Sequence, residues 1–162
     1  MVTPEKILCA KILIVERCPR APDLQIVIGD GLSGAALCEQ VPALFPLLQQ
    51  KARTNGWSVG QPFAVRYCRV GVMNDVGDLL APRVLVLLIG ERPGLATAVS
   101  LSAYMAYGPC SGNTDAERNL ISNIHARGVC VAQASDRIIS LASRMMALQR
   151  SGTTLKEDAA RL

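Results

Sequence analysis

Aromatic side chains are scarce in this chain: phenylalanine, tyrosine and tryptophan make up 4% of it, and Trp57 is the single tryptophan. A surface of stacked aromatics on which nucleic-acid bases could lie is therefore not expected. Histidine occurs once, as His125, and the cysteines (Cys9, Cys18, Cys38, Cys68, Cys110, Cys130) never form a Cys-x-x-Cys pair. Neither a zinc cage nor a redox dithiol is indicated, so the cysteines read as free, mostly buried thiols of a cytosolic protein. Long hydrophobic runs are missing as well: the longest, Val84 to Ile89, falls far short of the roughly 20 residues that cross a bilayer. Lys6 and Lys11 interrupt the apolar patch near the start and no small-residue cleavage site follows, so it does not read as a secretory signal. No charge sign dominates, since the excess of lysine and arginine over aspartate and glutamate is four and is scattered; it favours anionic ligands only weakly.

Aliphatic residues are what the chain has instead. Half of its 162 residues are hydrophobic, which is ample for one core built from Val, Ile, Leu, Ala and Met at the usual size of a single domain. Leu24 to Ile28, rich in β-branched residues and followed by Gly29-Asp30-Gly31, predicts a buried strand and a turn, and Ser33 is placed to cap a helix. Gly34 to Thr54 has near-helical apolar spacing that Pro42 and Pro46 are expected to divide or kink, with Asn55-Gly56 as the stop. Phe63 to Val70 alternates like a second strand, Asn74 or Asp75 is positioned to cap a short helix through Leu80, and Arg83 to Ile89 predicts a central strand covered on both faces. A last helix is expected from about Val131 to Arg150, closed by Ser151-Gly152, before a charged, alanine-rich tail. Strands separated by helices imply an open, parallel α/β sheet, whose ligands bind outside the carboxyl ends of its strands.

Three loops then carry the possible chemistry. Gly29-Asp30-Gly31-Leu32-Ser33-Gly34 is either a structural turn with a cap or the lining of a ligand site; its glycines fit GxGxxG spacing, but no ribose-binding acid follows. Gly90-Glu91-Arg92-Pro93-Gly94 presents an acid and an arginine after the most apolar strand, either as a local ion pair or as contacts to a ligand or partner chain. Asn119 to His125 alternates polar and apolar residues around the single histidine. With no Ser, Cys or Asp partner assigned by spacing, His125 reads as a hydrogen-bonding loop residue or a partner contact, not a catalytic base. Nothing local would lower the pKa of Cys68, Cys110 or Cys130. So thin a catalytic inventory points to a binding subunit.

Read in order, Val27-Ile28-Gly29-Asp30-Gly31-Leu32-Ser33, Val65-Arg66-Tyr67-Cys68-Arg69-Val70, Leu88-Ile89-Gly90-Glu91-Arg92-Pro93-Gly94-Leu95, Ser100-Leu101-Ser102-Ala103-Tyr104 and Ile121-Ser122-Asn123-Ile124 resemble the ethanolamine ammonia-lyase small subunit, from about Asp23 to Lys156. The resemblance implies an adenosylcobalamin-dependent lyase that converts ethanolamine to acetaldehyde and ammonia. A large subunit would supply the barrel and the substrate-binding residues. The small subunit would supply a Rossmann-like domain, an open, mainly parallel sheet flanked by helices, set against the corrin of the cobalamin. Carried over position by position, Val70 and Glu91 match cobalamin-contacting residues of the family, and Leu120 stands where the third contact is a cysteine. No catalytic residue and no metal ligand falls on this chain. The Asp-x-His-x-x-Gly signature of base-off cobalamin binding is missing, so a protein histidine on cobalt is not expected.

Other departures are Cys68 and Ala96, each where the family usually has glycine, and a front end much shorter than the family's before Asp30-Gly31-Leu32-Ser33. The resulting expectation is a short segment 1–22, a cobalamin-binding α/β domain 23–152 and a tail 153–162. Its partners would be the large subunit and cobalamin, with no nucleic acid and no membrane. The expected location is the cytoplasm, or within it a bacterial microcompartment. The alternatives are a truncated, non-catalytic interaction or regulatory module derived from that subunit, and an unrelated nucleotide-binding domain.

Overall fold

Every residue of the strand Val84–Gly90 is buried, as a run of Val, Leu and Ile demands when water is excluded from both faces of a sheet. This strand, β3, is the third of a five-stranded sheet. The computed structural model describes residues 12–94 and 97–156. The others are β1 (Leu24–Gly29), β2 (Phe63–Val65), β4 (Leu101–Tyr107) and β5 (Asn119–Ile124), in the spatial order β2-β1-β3-β4-β5. The principal helices are α1 (Gly34–Thr54), α2 (Val72–Leu80) and α3 (Val131–Leu148). β1 runs parallel to β2 and to β3, while β4 pairs antiparallel with both β3 and β5. It follows that β1, β2, β3 and β5 share one direction and β4 alone runs against them. The open α/β sheet flanked by helices is the expected architecture.

The two-residue alternation of the strands sorts the core into two layers. Ile26, Val86, Leu88, Ala103, Met105 and Ile121 face α1 and α3, where Leu44, Leu48, Ile138 and Met145 meet them. Val27, Leu85, Leu87 and Ile89 face the other way, onto Met73, Val76 and Leu80 of α2 and onto Cys18. Each such fully buried aliphatic side chain contributes about 1.5–3 kcal/mol. α2 is short and covers β1 and β3, so the same face of β4 and β5 is left partly open: Leu120 and Ser122 are exposed there.

Several local expectations are corrected. α1 is one continuous helix through Pro42 and Pro46, because both prolines sit on its exposed side, where the carbonyls they free can be solvated. β2 stops at Val65 instead of Val70, because the Asp30 carboxylate takes the amides of Tyr67 and Cys68 at 2.8 Å and Tyr67 turns to a positive φ of 53°. Gly71 precedes α2, and Asn74 caps nothing: its side chain donates to Asn113 O (2.8 Å) and accepts from Arg118 (3.0 Å). The segment Asn119–Ile124, read as loop, is strand β5, and Leu101–Tyr107 is strand β4. The expectation for Ala96 lies outside the described residues, as do those for the chain before residue 12 and for the tail from residue 157.

Candidate functional site

Because four strands share a direction, their carboxyl ends, Gly29, Val65, Gly90 and Ile124, meet at one edge of the sheet, and Leu101 lies opposite Gly90 there. Two of the loops picked out in the sequence stack directly on each other at this edge. Gly31 has φ +55°, and a Cβ on it would lie 2.4 Å from the Gly90 carbonyl; a Cβ on Gly90 would lie 2.0 Å from Ser33 O. Only glycine permits that approach. Leu32 N donates to Gly90 O (3.0 Å), and Ser33 Oγ both caps α1, accepting from Ala36 N (3.2 Å), and donates to Ala98 O (2.6 Å). The amides of Cys68 and Tyr67 hold the Asp30 carboxyl below its ordinary pKa. Asp30 is thus used structurally, and the glycine loop is both a turn and a wall.

Between these loops and the open part of the sheet lies a cleft of about 240 Å³. Val70 and Glu91, far apart in the chain, both line it, together with Leu32, Ile89, Ser102 and Tyr104. Leu120 does not line it. It is paired with Tyr104 across β4 and β5 and is 45% exposed, so it occupies the same open sheet face beyond the cleft. Arg92 also borders the cleft, and no ion pair joins it to Glu91 among the described residues.

Glu91 is the polar centre of this wall. Its Oε1 accepts from Ser102 Oγ at 2.5 Å and from the Asn123 main-chain N–H at 2.9 Å. Burial alone would raise its pKa, but the hydroxyls of Ser100 and Ser102 and the Asn123 amide outweigh that and hold the carboxyl below its usual range. Ser100 Oγ is buried beside the carboxylate and favours its charge, although its geometry falls short of a hydrogen bond. Both hydrogen bonds end on Oε1, so Oε2 keeps its acceptor capacity for a further donor. The thiol of Cys68, which also lines the cleft, is pushed up to about 11 by burial and then by Asp30, which keeps it protonated.

His125, 8% exposed, contacts Asn123 Oδ1 through Nε2 (2.7 Å) and accepts from Arg127 N at Nδ1 (3.2 Å). Among the described residues no cluster of three His, Cys, Asp or Glu side chains is placed to hold a metal. Sequence reasoning gave Ser102 and Asn123 no individual role. They stand 11 and 32 residues from Glu91, and only their membership of family-like motifs marked them.

Comparison with known proteins finds residues 9–156 matching the family described as the ethanolamine ammonia-lyase light chain. A protein of Clostridium perfringens named ethanolamine ammonia-lyase small subunit is 43% identical over 144 residues, 89% of this chain and 49% of that protein. Proteins of the same name from Clostridium acetobutylicum and Fusobacterium nucleatum are 37% and 39% identical, over 88% and 87% of this chain and 59% and 48% of their own lengths. The chain therefore spans about half the length of these curated relatives.

Proposed function

The chain belongs to the ethanolamine ammonia-lyase light-chain family, and from that premise we propose that it binds adenosylcobalamin against a large catalytic subunit, for the conversion of ethanolamine to acetaldehyde and ammonia. The observation that carries the cofactor reading is the half-saturated Glu91 carboxylate, with Oε1 tied down by two donors and Oε2 left for a third, in a cleft where Leu32, Val70 and Ile89 stand beside Arg69 and Arg92. A corrin offers a matching surface: a hydrocarbon rim studded with side-chain amides whose N–H groups donate to a carboxylate. Val70, Ile89 and Leu32 would meet the rim, Glu91 Oε2 would take an amide, and Leu120 would extend the apolar contact along the sheet. The bound cofactor would supply the radical chemistry, while this chain binds it, orients it and keeps water from one side.

The size of the cleft supports a shared site. Pockets that enclose a ligand usually measure roughly 300–1,000 Å³, so about 240 Å³ grips one side of a large ligand and leaves the remainder to another chain.

The test is co-expression with a cognate large subunit, size-exclusion chromatography with adenosylcobalamin, and an ethanolamine-dependent acetaldehyde assay. Co-elution with activity is the expected result; separate elution without acetaldehyde would leave the interaction-module reading in its place. In the active complex, Glu91→Ala is expected to weaken cobalamin binding about ten- to a hundredfold, the loss of a charge-assisted hydrogen bond worth roughly 1.5–3 kcal/mol. Unchanged affinity would remove Glu91 from the site.

A further inference from the structure

Asn123, near the end of β5, has a φ of +62°. Asparagine tolerates this left-handed conformation better than most residues with a side chain. The turn brings its main-chain N–H to Glu91 Oε1 at 2.9 Å, while its side-chain Oδ1 meets His125 Nε2 at 2.7 Å. The tautomer of His125 follows from its other neighbour. The Arg127 main-chain N–H can only donate, and it reaches Nδ1 at 3.2 Å, so Nδ1 is the bare nitrogen and Nε2 carries the proton given to Asn123. The loop is closed around the ring by Val129 N to Asn123 O (2.9 Å), His125 N to Val129 O (3.1 Å) and Gly128 N to His125 O (3.0 Å). A Cβ on Gly128 would lie 2.4 Å from Asn123 O, so this closure needs glycine.

We propose that His125 is a positioning residue for the cofactor-facing carboxylate: it anchors the side chain of Asn123, which keeps the strained Asn123 backbone turned so that its amide holds Glu91 Oε1 and Oε2 faces the cleft. The inference rests on the reading of Glu91 as a cobalamin contact. Without the His125 tether, Asn123 has reason to relax toward extended backbone, withdrawing one of the two donors that fix the carboxylate. His125 touches neither cofactor nor substrate in this scheme, and it acts wholly through Asn123 and Glu91.

A double-mutant cycle on the assembled two-subunit complex tests this, with adenosylcobalamin affinity measured by equilibrium dialysis and corrin absorbance. His125→Leu is expected to weaken binding about three- to tenfold, the scale of one buried hydrogen bond. His125→Gln, which retains a side-chain N–H donor, should recover most of that loss. In a Glu91→Ala background His125→Leu should cost nothing more, because the group it positions is gone. Where the leucine variant fails to assemble, Asn123→Ala serves in the same cycle, since alanine removes the tethered side chain and leaves the positive φ without support. Losses that multiply in the double variant, or single His125 and Asn123 variants that bind normally, would overturn the positioning role while leaving Glu91 a contact. Unchanged affinity in Glu91→Ala alone would overturn both.

Discussion

Asp30 and Glu91 are carboxylates a short distance apart in the fold with different duties. Asp30 spends itself on the amides of Tyr67 and Cys68, so its charge shapes the loop that carries Val70. Glu91 is only half committed, and that difference, not the presence of an acid, makes it the candidate contact. The depressed pKa of Asp30 has a consequence in acid. A group whose folded pKa lies below its unfolded one stabilises the fold above the unfolded pKa, and the contribution fades as pH falls through the folded value. Asp30→Asn should therefore lower stability at pH 7, and the gap from the unmodified chain should narrow below about pH 4, where ordinary aspartate protonates. Urea unfolding at pH 7 and pH 3 measures it; a gap of the same size at both would show that the charge is not the stabilising feature.

Among the elements, α1 is the one whose sequence argues most against itself. Pro42 removes the hydrogen bond that its amide would make to the carbonyl of Cys38, yet the helix runs on from Gly34 to Thr54. Burial of Ala36, Gln40, Leu44, Leu48 and Ala52 along one stripe outweighs the local penalty. Proline inside a helix costs roughly 3 kcal/mol, part of which is offset by the stiffer unfolded chain. Pro42→Ala should then raise the stability by about 1–2 kcal/mol, read as a higher urea midpoint at unchanged slope. A midpoint that falls would mean that the proline ring itself contributes to the stability of α1 on the sheet. β5 makes the opposite case. Its alternation was visible in the sequence, but only Ile121 and Ile124 of it are buried, too few apolar positions to separate a strand from a loop without knowing that β4 lies beside it. β4, with two alanines and a serine, has little strand propensity of its own and is held by pairing on both sides.

At the scale of the molecule, both core layers share the backbone of one sheet, so neither can be lost while the other stands. Trp57 packs against the layer beneath α1 and α3, whereas Leu85 belongs wholly to the layer beneath α2. Leu85→Ala, at a site with no exposure, should cost about 2–5 kcal/mol. It should also move the Trp57 fluorescence transition and the far-ultraviolet circular dichroism transition together. A fluorescence midpoint that stayed in place would show two units unfolding separately.

Composition and periodicity alone determined that this chain forms an aliphatic α/β core with β1, α1, β3 and α3 near their actual bounds, because those segments carry enough apolar residues at one period to declare a face. The chain's own residues also marked the loops after β1 and β3, since glycine and charge after a buried strand have few other uses. The motifs pointed to Val70, Glu91 and Leu120 through likeness to a family. Tertiary structure decided which of these come together. Val70 and Glu91 share a cleft because the strands ending near them lie at the same edge of the sheet, and Leu120 stands apart because it enters β5 at the opposite end. The support of Glu91 by Ser102 and Asn123 was hidden for the same reason. Hydrogen bonds between residues 11 and 32 positions apart follow from strand order and register, and no local pattern encodes those.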